Sequence, residues 1–361
     1  MSFRQPVARC RVRFRLLAAQ DDLKVCQLQY WKRTEIQNMQ MIDMQRRYKN
    51  GIVDEWITTL TFPEEAHYIR YRFLLTDWSG KQQYFNESGF SPSPSPEGNF
   101  ELLQVNETDI RSIPEWSRGC VFYQIFPERF AIGNNPLTKQ TLEPWSAKPT
   151  RENYLGGNLD GIRKKIPYLN DLGVDCLYLT PIFHADFNHK YATIDYFRID
   201  PDFGSMEDFV HLVNEAHQAG IRVVLDGVFN HTGIKFMPFS DLLEHGENSK
   251  YKNWFYPKQF PLAINPESYE CVGDYPYMPR LRVVNPEVRE YVLSVLLFWL
   301  REAKIDGWRF DVADELDPSV VRFWRDHVKA IYPDALFLAE TWVDARRLLN
   351  EGDPFDSAMN Y

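Results

Sequence analysis

The segment 307–315 (GWRFDVADE) places charged side chains at the end of an apolar, strand-like run. Residues two apart on a β-strand share a face, so Arg309 and Asp311 are predicted to point the same way. A guanidinium beside a carboxylate favours the ionised form that a nucleophile or an electrostatic stabiliser requires. A purely structural Arg–Asp ion pair at a strand end would give the same pattern, because such pairs also perturb pKa values.

Two further strand-like segments carry a carboxylate and other polar groups: DGVFNH at 226–231 and AETW at 339–342. In an α/β barrel, polar residues at strand ends open on the catalytic face. Packing alone explains this pattern poorly, since an unpaired buried acid is costly. Two acids in distinct environments suit a glycosidase, which needs one ionised and one protonated. Arg309 favours an ionised Asp311, and Glu340, with no basic neighbour in sequence, is expected to hold the proton.

The first third of the chain shows short alternating or β-branched segments separated by turn residues. A Ser- and Pro-rich stretch at 91–99 predicts a solvated loop that joins no sheet. We therefore predict an all-β sandwich domain over residues 1–112. Its predicted strands are 8–17, 25–31, 52–62 and 68–76.

From residue 113 strands alternate with helices, which predicts a second domain over 113–361 built on a parallel sheet buried on both faces. A closed eight-fold barrel and an open doubly wound sheet both fit this pattern. The absence of a Gly-x-Gly-x-x-Gly turn counts against dinucleotide binding. The predicted strands are 120–126, 175–181, 221–229, 305–312, 335–339 and 355–361, and the predicted helices are 159–172, 205–219, 286–304 and 318–331.

Composition narrows the classes of partner. The net charge of −9, with acidic and basic residues interspersed, disfavours nucleic acid and anionic membranes and leaves neutral solutes open. The five cysteines are scattered without metal-ligand spacing, and His184, His189 and His231 form no tetrahedral set, so we expect no zinc site. The N-terminus lacks a signal-peptide core and no apolar run could span a bilayer, which predicts a cytoplasmic protein.

Taken together, DGVFNH, GWRFDVADE and AETW, in this order on strands three, four and five, resemble three signature regions of the α-amylase family of glycoside hydrolases. The β-rich N-terminal domain and the segments YQIFPERF (123–130), LGGNL (155–159) and MPRL (278–281) resemble its cyclomaltodextrinase, neopullulanase and maltogenic amylase branch. The resemblance implies a (β/α)8 TIM barrel, with strands one to about six in this chain, preceded by the all-β sandwich.

The resemblance also implies an activity: retaining hydrolysis of α-1,4-glucosidic bonds in cyclodextrins and short maltodextrins, with pullulan, starch and transglycosylation as further expectations. Asp311 would be the nucleophile, Glu340 the acid/base, and Arg309 the residue that orients Asp311. Core packing is the alternative explanation for the aromatic members of the predicted binding set. The resemblance also implies that Tyr191 stacks on the sugar before the scissile bond and that Glu315 and Trp342 lie toward the acceptor side. The other residues predicted to bind or support the substrate are His231, Asp226, Asn230 and His189.

Calcium and quaternary structure are expected from the same resemblance. The loop that holds calcium in related enzymes has few anionic residues here, so no cofactor is required and at most a weak calcium site is expected near Asn134 and Asn158. An α-glucan oligosaccharide is the expected substrate, and the N-terminal domain is expected to mediate a homodimer. Another α-glucan-active enzyme, such as a transferase or isomerase, and a non-catalytic glucan-binding protein are the alternatives.

Related enzymes carry a further signature, Asn/Ser-His-Asp, on strand seven. This sequence stops at Asn360 and Tyr361, within the predicted sixth strand. We therefore expect the 361 residues to be a segment of a longer chain. On its own this segment should show an open barrel with apolar faces exposed at 120–126 and 355–361, and weak hydrolysis.

Overall fold

The structure is a computed structural model that describes residues 3–49, 51–106, 110, 113–133, 140–349 and 354–359. The chain divides into two compact units, with the boundary between residues 111 and 112. The division lies next to the predicted domain boundary at 112. Of the helices in the described residues, none is both long and apolar enough to cross a membrane.

The strands of the first unit all pair antiparallel, and they are β1 Arg4–Ala8, β2 Arg11–Ala19, β3 Leu23–Lys32, β4 Gln40–Asp43, β5 Gln45–Lys49, β6 Val53–Thr61, β7 His67–Asp77, β8 Gln82–Asn86, β9 Gly89–Ser91 and β10 Phe100–Gln104. One sheet has the order β1-β2-β6-β5, and the other has the order β4-β3-β7-β8-β9 with β10 paired to β7. Alternate residues of β2, such as Val12 and Phe14, are buried, and the Phe14 ring lies 4.9 Å from Tyr71 of the other sheet. The predicted all-β sandwich is confirmed.

The second unit alternates strands and helices. Its strands are β11 Phe122–Ile125, β12 Cys176–Leu179, β13 Phe183–Ala185, β14 Thr193–Ile199, β15 Arg222–Gly227, β16 Gly307–Phe310, β17 Leu336–Ala339 and β18 Ser357–Ala358. Its helices are α1 Leu159–Lys164, α2 Ile166–Asp171, α3 Met206–Gln218, α4 Met237–His245, α5 Pro286–Glu302, α6 Pro318–Ile331 and α7 Arg346–Leu349. Six strands form a parallel sheet of order β11-β12-β15-β16-β17-β18, which confirms the predicted barrel topology as far as the sixth strand.

The structure corrects the prediction at 159–172 and adds a hairpin. The single helix predicted over 159–172 is two short helices, α1 and α2, because Pro167 stands in the first turn of α2 and has no N–H to continue α1. A hairpin of β13 and β14, which was not predicted, follows β12. The helix α3 was predicted correctly, and it begins with a capping box in which Ser205 and Asp208 bond each other's backbone N–H.

The parallel sheet is open in the part of the chain that the structure describes, with β11 and β18 at its edges. Val121 is 53% exposed and Phe122 is 36% exposed, as expected for the edge at 120–126. The expectation of an exposed apolar face at 355–361 is wrong for Phe355, which is 1% exposed and packs 5.4 Å from the Phe310 ring. The last two residues of that range lie outside the described residues.

Candidate active site

The side chain of Arg309 joins three strand ends. In the parallel register, Arg309 on β16 stands beside Asp226 on β15 and Leu338 on β17. Its Nη1 donates to Asp226 Oδ1 and to Asp311 Oδ1, each over 2.8 Å, and its Nη2 lies 2.8 Å from Glu340 Oε1. The structure thus brings together the three residues predicted to be catalytic, and adds Asp226 to them.

These four charged groups are almost fully removed from water, with Arg309 and Asp226 at 3% and 1% exposure. Burial and the neighbouring Asp226 and Glu340 carboxylates raise the pKa of Asp311 well above its usual range, although Arg309 opposes the shift. Arg309 thus acts in the predicted direction, because it lowers the pKa of Asp311, but it is not the largest influence on that pKa. One cation faces three carboxylates, so desolvation and like-charge repulsion outweigh the single ion pair.

Asp226 is satisfied by hydrogen bonds that leave it little freedom. Its Oδ2 accepts from the hydroxyl of Tyr178 over 2.5 Å and from the hydroxyl of Tyr191 over 3.1 Å, in addition to Arg309. Burial raises the pKa of both phenols, so each remains a donor. This places Asp226 where it can support the arrangement of the site. Tyr178 was missed in the sequence because it lies inside an apolar strand without a signature.

Val312, directly after Asp311, adopts a left-handed conformation with φ 47° and ψ 47°. This conformation is a genuine outlier for a β-branched residue, and such strain persists only where surrounding contacts enforce it. The backbone N–H of Val312 donates to Glu340 Oε2 over 2.8 Å, and the N–H of Ala313 donates to the Glu340 carbonyl over 3.2 Å. The turn after the predicted nucleophile thereby orients the predicted acid.

The two histidines of the predicted binding set differ in burial, since His231 is buried and His189 is half-buried. His231 is 2% exposed, and neither ring nitrogen has a hydrogen-bond partner among the described residues. Burial lowers its pKa to about 4, so near neutral pH the ring offers one donor and one acceptor. The Nδ1 of His189 accepts the backbone N–H of Tyr191 over 3.1 Å, and burial also lowers the pKa of His189. Neutral rings of this kind suit an uncharged polyol.

The remaining predicted binding residues lie after β15, β16 and β17. Asn230 Nδ2 donates to Glu315 Oε2 over 2.9 Å. Trp342 is 71% exposed, so the alternative that it belongs to the core is wrong. Its backbone N–H donates to Asp314 Oδ2 over 2.9 Å, and Asp314 Oδ1 accepts the hydroxyl of Thr341 over 2.8 Å. Asp314 therefore ties the loop after β16 to the loop after β17, a role that the sequence did not indicate.

Of the two residues expected near a calcium site, only Asn158 lies among the described residues, and its side-chain oxygen is already used by the backbone. The Asn158 side-chain oxygen already accepts the backbone N–H groups of Gly161 over 2.9 Å and Gly133 over 3.0 Å, which occupies both of its lone pairs. Asn134, the other predicted ligand, lies outside the described residues. Within the described residues no group of three or more His, Cys, Asp or Glu side chains is arranged to hold a metal.

Comparison with known proteins identifies the family of this chain. Residues 124–361 match the family described as "Alpha amylase, catalytic domain", and residues 1–106 match "Alpha amylase, N-terminal ig-like domain". The chain belongs to the alpha-amylase family. Both halves of the domain order predicted from the sequence are thus present, and the site described above lies in the part of the chain that matches the catalytic domain.

The relatives that match this alpha-amylase family chain include a neopullulanase and cyclomaltodextrinases. This chain is 40% identical to neopullulanase 2 of Thermoactinomyces vulgaris over 100% of the chain's own length. It is 43% identical to a cyclomaltodextrinase of Geobacillus thermopakistaniensis over 89% of the chain. A solved cyclomaltodextrinase covers 99% of the chain with a TM-score of 0.89 at 38% identity. The chain spans only 62%, 55% and 62% of these three proteins, respectively.

Proposed function

We propose that the protein containing this chain is a retaining glycoside hydrolase that cleaves α-1,4-glucosidic bonds. The observation that carries the proposal is the pair of carboxylates, Asp311 and Glu340, held on the two terminal nitrogens of the Arg309 guanidinium. Retaining enzymes need two carboxyl groups about 5–5.5 Å apart, whereas inverting enzymes need about 6.5–9.5 Å. Attachment to one guanidinium favours the shorter distance.

In this mechanism a carboxylate oxygen of Asp311 attacks the anomeric carbon while Glu340 gives its proton to the departing glycosidic oxygen. Glu340 then takes a proton from water, and the resulting hydroxide releases the sugar from Asp311. A sugar hydroxyl in place of water would give transglycosylation. Arg309 and the Val312 N–H hold the two acids in position for both steps.

Cyclodextrins and short maltodextrins are the proposed substrates, with pullulan and starch as further candidates. The names of the relatives support this choice, since they include cyclomaltodextrinase, maltogenic alpha-amylase and neopullulanase. The neutral His189 and His231 rings and the exposed Trp342 also suit an uncharged ligand with flat apolar faces.

Assembly and location are part of the same proposal. We propose a homodimer formed through the N-terminal unit, supported by the short edge strand β4, where Met41 is 53% and Ile42 37% exposed. A cytoplasmic location is supported by a relative named intracellular maltogenic amylase of Bacillus subtilis, 41% identical over 85% of this chain. Light scattering of the full-length protein with and without residues 1–112 tests the dimer.

The activity is tested by digesting β-cyclodextrin, maltotriose, starch and pullulan in parallel with the full-length protein. NMR of the first product should show the α-anomer before mutarotation. The Asp311→Asn variant should lose at least about a thousandfold in turnover. Asp326→Asn, the same change at an exposed position on α6, should retain full activity. A β-anomeric first product or an active Asp311→Asn variant would refute the assignment, and phosphate-dependent cleavage would indicate a transferase.

A further inference from the structure

A row of aromatic rings leads outward from the acid site. The Tyr191 ring lies 5.8 Å from the His189 ring, which stacks on Phe187 at 5.3 Å with an interplanar angle of 5°. The Phe187 ring is 4.8 Å from Tyr277, and Tyr277 is 5.6 Å from Tyr275. We call Phe187, Tyr277 and Tyr275 the outer rings. None of them belongs to the segments that indicated the family.

The outer rings line a cavity of about 940 Å³, which is in the upper part of the usual range for small-molecule sites. The side chains of Phe187 and Tyr275 are 42% and 48% exposed, so their ring faces are not used up in core packing. Polar side chains of Arg151, Glu152 and Asn188 share the lining. Flat apolar faces beside hydrogen-bonding groups match a hexopyranose, which has apolar C–H faces and a rim of hydroxyls.

The turn that carries Phe187 has a strained backbone. Phe187 has a φ of 64°, in the turn between β13 and β14, and this conformation is costly for a bulky residue. Lys190, three residues later in the same turn, has a φ of 62° and is anchored by its Nζ to Asp200 Oδ1 over 2.9 Å and to Asp202 Oδ2 over 3.0 Å. A strained turn kept in place by buried ion pairs is typical of a functional loop.

The position of the outer rings assigns them to one side of the scissile bond. They follow β12 and β15, whereas Glu315 and Trp342, the residues predicted for the acceptor side, follow β16 and β17. The row begins at Tyr191, which is predicted to stack on the sugar that is attacked. The outer rings therefore lie beyond that sugar, away from the acceptor.

We propose that Phe187, Tyr277 and Tyr275 form an extended binding subsite for the non-reducing part of an α-1,4-linked glucan chain. This inference rests on the proposed function and deepens it by assigning a chain-length preference to named residues. The subsite favours substrates of five or more glucose units over maltotriose, which is too short to reach the outer rings when it spans the scissile bond.

The test uses the full-length protein with Tyr277→Ala, Tyr277→Phe and Phe187→Ala. The ratio of kcat/KM for maltohexaose to kcat/KM for maltotriose should fall roughly five- to tenfold in both alanine variants. The Tyr277→Phe variant, which keeps the ring, should retain the ratio within about twofold. Tyr168→Ala removes a ring that is 53% exposed on α2, outside the cavity, and should leave the ratio unchanged.

Binding is measured separately from cleavage by titrating maltohexaose into the Asp311→Asn protein by calorimetry. Adding Tyr277→Ala should raise the Kd by the same factor. If the alanine variants cleave glucans with an unaltered ratio of kcat/KM for maltohexaose to that for maltotriose, and with an unaltered Kd, the subsite proposal is refuted. The proposal that the protein is a hydrolase would still stand. Weakened maltohexaose binding in a protein that cleaves no glucan would retain the subsite and refute the hydrolase. A protein that binds no maltohexaose would refute both.

Discussion

The backbone N–H of Val312 donates a hydrogen bond to the Glu340 carboxylate over 2.8 Å, from a residue in the left-handed conformation. The nucleophile candidate Asp311 immediately precedes this turn, so the two predicted catalytic acids are coupled through one strained peptide. Strain of this kind costs of order 1–3 kcal/mol and is retained where the surrounding structure enforces it. The turn therefore exchanges stability for the orientation of Glu340.

Replacing Val312 by glycine should separate strain from orientation. A Val312→Gly variant should gain about 0.5–1 kcal/mol in free energy of unfolding, because the left-handed penalty of about 1–2 kcal/mol exceeds the entropy cost of glycine. Turnover should stay within about threefold, since the backbone N–H to Glu340 remains. Urea unfolding checks the first value. Val284→Gly, at an exposed residue without positive φ, should not stabilise, and a destabilised Val312→Gly would contradict the strain.

Removing the proton donor should affect poor leaving groups most. A Glu340→Gln variant should cleave maltotriose about 10²–10⁴ times more slowly, the usual contribution of a general acid. Cleavage of a dinitrophenyl maltoside should fall much less, because this leaving group needs no proton. Steady-state kinetics on both substrates measure the difference. Glu244→Gln, at an exposed residue of α4, is the matched control, and equal losses on both substrates would contradict the role of Glu340.

The Arg309 guanidinium should determine how stability depends on pH. Arg309→Met leaves Asp226 and Asp311 buried without a cation and should cost about 3–5 kcal/mol at pH 7. The folded-state pKa values of both acids are already raised and should rise further, so the folded state binds more protons than the unfolded state. The free energy of unfolding of the variant is then highest at low pH and falls as the pH rises.

We therefore expect urea unfolding to show that Arg309→Met loses more free energy of unfolding, relative to the unaltered protein, at pH 8 than at pH 5. The exposed Arg301, paired with Glu302, provides a control in which Arg301→Met should cost little at either pH. A deficit that is constant or shrinks with rising pH would show that the carboxylates do not carry the effect.

His231 should make the protein sensitive to acid. Its folded-state pKa of about 4 lies below the usual histidine value of 6.5, so between these values the unfolded state binds the proton and the folded state does not. Stability from this group is complete above pH 6.5 and is lost as the pH falls toward 4, by roughly 3 kcal/mol. The His231→Asn variant should lose correspondingly less free energy of unfolding between pH 7 and pH 4, as measured by urea unfolding. The control variant His211→Asn, at an exposed histidine, should show the same pH dependence of unfolding as the unaltered protein. If His231→Asn also shows that pH dependence, His231 is not the source of the acid sensitivity.

Chelation should have little effect on stability. Because the Asn158 oxygen is filled by two backbone N–H groups, EDTA should shift the Tm of the full-length protein by less than about 1 °C. Differential scanning calorimetry with EDTA, and after calcium is added back, measures the shift. A fall of several degrees that calcium reverses would mean that other oxygens, from backbone or from outside the described residues, hold the ion.

The sequence by itself determined the order of the six strands of the parallel sheet and the three strand ends that meet in the site. These features depend on local rules: alternation along a strand puts Arg309 and Asp311 on one face, and parallel strands bring their ends to one edge. Local rules also placed the capping box of α3 at Ser205, since it depends on residues three positions apart.

Only the tertiary structure decided how the site is charged and oriented. The raised pKa of Asp311 comes from burial and from Asp226, which is 85 residues away in the chain, so it has no sign in the local sequence. The left-handed turn at Val312 contradicts the preference of a β-branched residue and exists because Glu340 and the surrounding packing hold it. The outer rings of Phe187 and Tyr277 likewise meet through two loops that fold onto each other. Long-range desolvation, enforced strain and loop contact arise from the folded chain as a whole.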